Sequence, residues 1–440
     1  MTLYTSIPVI LLIIIFYIIW VWKKCPFAIP TSLLFIIEMT WGLISIVWID
    51  NGVYISEQLR TSYFTGASIR YFVLMLPFAI LFPLLTQKNI ENNMKYGIRP
   101  MKLTYSGHTL DSIALCIIIV TILYSYLNIF VSGVPLFRNY ISKSNFFAQY
   151  SRLPFANTVY QYLFPFAMFL SGAIFCNGNS FRRRWGAILG ASIMLFQVLM
   201  EYKFYGLYNF AIYFSMPILI KKSNIFLKKR KIPFKAIILS ALGVGVLLFI
   251  CYSQYSKTQA NPLQYLLNRI FALQSHTFWG VDLLVKNKEA GFNWDILVSE
   301  IIAGLRGVSV YNTNFGIAKV MYEVTQYSYA NDMIKTGFLF AGSYITVSLN
   351  YSGYVLTFLL SIGLAWALSK IAAALSLYAD GTNFVFLYLI FWVYTRIYEY
   401  FRVGLLSMIL SWKMLIIYAL LISLYLFRKS KSGMAGYGRI

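Results

Sequence analysis

Long apolar stretches separated by short polar ones set the pattern of this chain. A helix needs roughly 20 apolar residues to cross the hydrocarbon of a bilayer. That length predicts eleven spans: 5-22, 27-48, 70-86, 111-132, 155-177, 186-201, 204-220, 236-252, 338-368, 382-397 and 403-427. The stretch 338-368 exceeds one crossing, so its first part, Phe338 to Asn350, is expected as a re-entrant or interfacial segment. Two connections are long. One is 133-154; the other, 253-336, is too long for a simple connector and is expected to be structured and functional. Within it, 263-284 has helical apolar spacing through Leu263, Leu266, Leu267, Ile270 and Leu273. A continuous helix there puts Arg269 and His276 on one face, with Trp279 a turn beyond. A second amphipathic stretch, 296-306, ends at Arg306-Gly307. Such helices lie on a membrane surface or lid a cavity.

Composition points the same way. Hydrophobic residues make up 59% of the chain and charged residues 12%, where a soluble domain carries about a quarter charged residues. The expected fold class is an all-α polytopic membrane protein. Cys25, Cys116, Cys176 and Cys251 are scattered without a CxxC spacing, and His108 and His276 are the only histidines. Neither a zinc site nor a disulfide framework is suggested. With no DxD, Walker loop or G-x-S-x-G motif, neither a metal nor a cofactor is expected. Residues 1-22 lack a leading positive region, and Lys23-Lys24 follows the apolar run, so a cleaved signal peptide is not expected.

The net charge of +23 would suggest nucleic acid in a soluble chain, but its distribution supports a different reading. One alternating set of loops holds 21 cations, including Arg182-Arg183-Arg184 and the 221-235 run, against three acids, Glu91, Asp111 and Asp380. The other set holds 15 cations against ten acids. Positive residues stay cytoplasmic, which puts the first set inside, the amino terminus outside and the carboxyl terminus inside. The 221-235 run then serves topology and contact with anionic lipid heads, with no nucleic-acid partner. The expected organisation is 1-252 for spans one to eight, 253-337 for the outer loop, 338-427 for the last spans and 428-440 for a basic inner tail.

Charges inside apolar runs are costly and mark pairing or function. Glu38 and Lys413 both fall mid-span, so an interhelical Glu38–Lys413 pair is expected, with a proton relay as the sharper alternative. Arg396 and Glu399, three apart near the outer end of span ten, suit an intrahelical ion pair. The outer side collects Arg138, Arg152, Lys203, Arg269, His276, Arg306, Arg396 and Arg402 among many Tyr and Trp. Guanidinium groups grip phosphate through paired donors, and flat aromatic faces suit sugar rings.

With these residues in view, the chain resembles the Wzy-type O-antigen (oligosaccharide repeat unit) polymerases of bacterial inner membranes. Four patterns carry the likeness in order: Gly133-Val134-Pro135-Leu136-Phe137 followed by Arg138; Lys203-Phe204-Tyr205-Gly206-Leu207; Arg269-Ile270-Phe271-Ala272-Leu273-Gln274 with His276 and Trp279; and Phe340-Ala341-Gly342-Ser343-Tyr344. Arg306 and Gly316 approximate the Arg-to-Gly spacing of such enzymes, while the 133-154 loop lacks it.

The resemblance implies a metal-independent glycosyltransferase whose site faces the periplasm. A growing glycan would move from undecaprenyl pyrophosphate onto a new lipid-linked repeat unit, with a chain-length regulator protein as a further partner. On that reading Arg269, Arg396, Arg402, Arg138 and Lys203 hold pyrophosphate. His276, Glu399 and Arg306 are the catalytic candidates, with His276 or Glu399 as base, and Gln274 and Trp279 hold sugar. The alternatives are an O-antigen ligase-like transferase, a lipid-linked oligosaccharide flippase, or a scaffold component of the export machinery.

Overall fold

The computed structural model describes residues 3-53, 55, 57-59, 62-95, 107-137, 146-177, 180-200, 205-229, 252, 261-378 and 384-436. These residues form helices and connections, without a strand among them. The first seven long helices are α1 (Leu3–Lys24), α2 (Ile29–Asp50), α3 (Ala67–Lys95), α4 (Gly107–Ser132), α5 (Phe164–Asn177), α6 (Ser180–Leu199) and α7 (Tyr205–Lys229). Five short helices follow: α8 (Pro262–Phe271), α9 (His276–Lys286), α10 (Trp294–Arg306), α11 (Gly316–Val324) and α12 (Tyr327–Lys335). The chain ends with α13 (Tyr344–Tyr378), α14 (Phe384–Val403) and α15 (Trp412–Gly436).

Five segments among the described residues are long and apolar enough to cross a membrane: Ile29–Asp50, Ala67–Met94, Ser112–Phe137, Ala156–Cys176 and Tyr344–Leu377. The molecule is thus an α-helical membrane protein, with five such helices where eleven spans were expected. Two of the other described helices carry polar ends. Helix α6 opens on Arg182-Arg183-Arg184, and α14 closes on Arg396, Glu399 and Arg402. The expected span 236-252 lies, apart from Tyr252, outside the described residues.

Long-range hydrogen bonds tie the connections to the helices. The Phe27 amide donates to Gln87 (2.9 Å), Asn89 to Ser369 (3.1 Å), and Lys221 Nζ to the Cys176 carbonyl (2.8 Å). The Arg152 amide donates to Ser132 Oγ, and Ser407 Oγ to the Val308 carbonyl. An aromatic core around the fully buried Phe35 ties α2, α3 and α14 together. Its ring meets those of Phe78, Phe82, Tyr394, Tyr398 and Phe401 at centroid distances of 5.1–5.8 Å.

Two breaks shape the region above this core. At 35 residues α13 would run about 50 Å if straight, and it breaks at Gly353, whose φ of 70° suits glycine. The break frees carbonyls on the preceding turn. Those of Asn350 and Tyr351 accept instead from the Gly291 and Asn293 amides (3.1 and 3.2 Å). The stretch Phe338 to Asn350, expected as a re-entrant or interfacial segment, is irregular through Ser343 and then forms the part of α13 before this break. Gly404, at φ 75°, then ends α14. Its amide closes on the Tyr400 carbonyl (2.7 Å), and the chain makes a short turn, Ser407–Leu410, before α15 begins. Lys413 consequently sits exposed in the first turn of α15, near the Trp412 ring, and not mid-span. The expected Glu38–Lys413 pair is corrected on that ground.

The expected continuous helix over 263-284 is likewise two. Ser45 Oγ donates to the Ala272 carbonyl (2.8 Å) and accepts from the Ser275 amide (2.9 Å), satisfying the backbone where α8 stops and α9 starts. Arg269 therefore stays exposed while His276 turns into the core, and the shared face is lost. Helix α10 forms close to expectation. Asn293 caps it by accepting from the Asp295 and Ile296 amides, and Gly307 closes it at φ 73°. Helix α9 is locked to the bundle by Asp282, which takes a bidentate pair from Arg70 (2.8 and 2.6 Å) and a hydroxyl from Tyr354 (2.9 Å).

Candidate functional site

A cavity of about 510 Å³ opens where α2, the α8–α9 junction, the irregular stretch before α13 and the end of α14 meet. Glu38, Arg269, Gln274, Ser275 and Arg402 border it, together with Phe340-Ala341-Gly342-Ser343. Each wall is positioned by long-range bonds. Trp41 Nε1 donates to the Ile270 carbonyl (2.6 Å) and Ser275 Oγ to the Gly42 carbonyl (3.0 Å), which holds the α8–α9 junction against α2. Thr277 Oγ1 donates to the Ala341 carbonyl (2.7 Å), and Ile317 packs so tightly on Gly342 that a side chain there would collide with it.

Charge in the cavity is organised around Glu38. Its Oε1 accepts from the buried Tyr398 hydroxyl (2.8 Å) and lies 3.5 Å from Arg402 Nε. Arg402 also reaches Glu399 at 3.7 Å across three residues of α14. Arg269, on exposed α8, donates from Nη1 to the Tyr265 hydroxyl (2.9 Å) and packs on that ring. Arg269 and Arg402 border the cavity with Glu38, and Glu399 pairs with Arg402 beside it, so these four charges balance. Guanidinium donors at such a border suit an anionic group with hydrogen-bonding neighbours.

Against expectation, the cationic candidates do not all converge. Arg269, Gln274 and Arg402 border the cavity; Arg306 and Arg396 do not. Arg306 is exposed in the last turn of α10. Arg396 lies over the Tyr162 ring at 4.6 Å and the Trp392 ring at 5.9 Å, so the expected Arg396–Glu399 pair gives way to the Arg402–Glu399 pair. Arg138 and Lys203 lie outside the described residues.

His276 and Trp279 sit behind the wall. His276 is 2% exposed, with Nδ1 against the Leu273 carbonyl (2.8 Å) and its ring on Phe340. Its buried Nε2 has no hydrogen-bond partner among the described residues. Burial pushes its pKa below the ordinary value, so the ring is held neutral. Trp279 is 1% exposed and stacks on Tyr63 (5.6 Å), so its faces are taken by the protein and cannot serve as the expected sugar platform. Glu38 and Tyr398 are absent from the sequence-derived site. A carboxylate in the middle of FIIEMTWG is its one visible signal; which cation it meets depends on where α14 ends.

A second, apolar groove of about 470 Å³ runs between α1, α2 and α3, bordered by Tyr17, Trp20, Leu43 and Phe72. Tyr71 and Met75 border both spaces, so the groove and the polar cavity are neighbours across one turn of α3. Compared with protein-family models, curated proteins and solved structures, the chain matches none of them.

Proposed function

We propose that this chain is a metal-independent glycosyltransferase of the polymerase type. It moves a growing glycan from undecaprenyl pyrophosphate onto a new lipid-linked repeat unit, building O-antigen or a related surface polysaccharide. In this reading the bundle crosses the bacterial inner membrane eleven times, and the cavity opens to the periplasm.

The observation that carries the reading is the meeting of Arg269 and Arg402 at a polar cavity whose neighbour is an apolar groove. A lipid-linked sugar donor has the same division, with a diphosphate head between a sugar and a long apolar chain. The leaving diphosphate departs with added negative charge, and fixed cations aimed at that charge lower the barrier. Arg269 and Arg402 take that role. Gln274 contacts sugar hydroxyls, and the groove beside Tyr71 and Met75 takes the first part of the lipid chain.

Gel analysis of surface polysaccharide from a deletion strain tests the reading. The expected result is collapse of a multi-repeat ladder to a single repeat, restored by the wild-type chain but not by R269A or R402A at equal protein level. Loss of even the single-repeat product would favour a ligase or a flippase, and an unchanged ladder would reject the transferase reading.

A further inference from the structure

The acceptor hydroxyl must lose its proton as the new glycosidic bond forms, and the group that takes it must border the cavity with an oxygen or nitrogen lone pair to spare. His276 does not meet that condition. Its Nδ1 is committed to the Leu273 carbonyl, which leaves Nε2 as the acceptor, and that atom is sealed in the core. Glu399 lies off the cavity border. Glu38 meets it. Its side chain is 19% exposed, it borders the cavity, and both the Tyr398 hydroxyl and Arg402 Nε approach Oε1. A carboxylate offers about four acceptor sites, more than these two contacts use. Arg402 supplies the counter-charge for a carboxylate in an otherwise apolar span, while the buried Tyr398 fixes its orientation.

We infer that Glu38 is the catalytic base for this transfer, an inference that rests on the proposed function. The acceptor hydroxyl oxygen forms its bond to the anomeric carbon of the donor, and its proton passes to the Glu38 carboxylate. The bond between that carbon and the pyrophosphate oxygen breaks, and its electron pair leaves with the lipid pyrophosphate, whose added charge meets Arg269. The proton on Glu38 is then released to water, restoring the carboxylate.

The test uses the full-length chain in lipid nanodiscs with undecaprenyl-pyrophosphate-linked repeat units, and compares two acceptors. One is the natural lipid-linked unit, whose hydroxyl needs a base. The other is azide, which has no proton to lose. E38Q is expected to lower elongation roughly 100-fold or more while forming glycosyl azide within a fewfold of wild type. E38D, which keeps a carboxylate, is expected to elongate faster than E38Q. Elongation by E38Q close to the wild-type rate overturns the assignment. So does loss of both reactions in E38Q, because that result makes Glu38 a scaffold for Arg402. If the wild-type protein forms neither product, the transferase reading itself fails, an outcome distinct from failure of Glu38 alone.

Discussion

Replacing Arg70 with Ala should loosen the cavity wall from a distance. Asp282 is 1% exposed at its side chain and Arg70 30%. R70A removes both arms of the pair and leaves the buried carboxylate with the Tyr354 hydroxyl as its remaining donor among the described residues. Stranding one member of a buried pair costs about 3–5 kcal/mol. The partial exposure of Arg70 admits some solvent to the site, which puts the expected loss at the low end, about 3 kcal/mol. Because Asp282 sits on α9 and Arg70 on α3, the loss falls on the docking of α9 and, through Ser275, on the cavity border. Amide hydrogen exchange over 276-286 in detergent-solubilised protein reads it directly, and 3 kcal/mol corresponds to roughly a hundredfold faster exchange. The double variant R70A/D282A should lose less than the sum of the single losses. Exchange changed by less than about threefold in R70A would refute the reasoning, because the pair would then be exchanging freely with water.

Further outcomes follow from buried groups and tight backbone. Burial raises the Glu300 carboxyl above its ordinary value of 4.5, against a bond from the Gly316 amide. The native state then holds a proton that the unfolded chain releases. The resulting stability is full below about 4.5 and lost as pH rises through the folded value, so E300Q should flatten the pH dependence of thermal unfolding over that window. His276 acts in the opposite sense. Its pKa lies below 6.5, so its contribution is present above that pH and lost as pH falls through the folded value. Melting curves of H276Q should show a weaker acid-side loss than wild type. G404A meets a φ of 75°, and its methyl group would sit 2.6 Å from the Val347 side chain and 2.9 Å from the Ser343 carbonyl. It should destabilise by about 2–4 kcal/mol, read as a lowered unfolding midpoint.

Local pattern is enough for the helical class and for the amphipathic helix ending at Arg306. Helix periodicity, an Asn cap and a closing glycine all act within a few residues, so they are visible along the chain. Residue chemistry alone also singles out Arg269 and Arg402, and the family resemblance singles out Gln274; the fold brings all three to the candidate border. Partnership across the bundle is not legible. Ser45 interrupts the 263-284 helix from 230 residues away and so turns His276 inward. Gly404 stops α14 and thereby leaves Arg402, not Lys413, beside Glu38. Trp279 has the chemistry of a sugar platform, but Tyr63 lies against its face. Hydrogen bonds and charges between distant segments depend on where each helix starts, bends and ends relative to its neighbours, and that register exists only once the helices have packed.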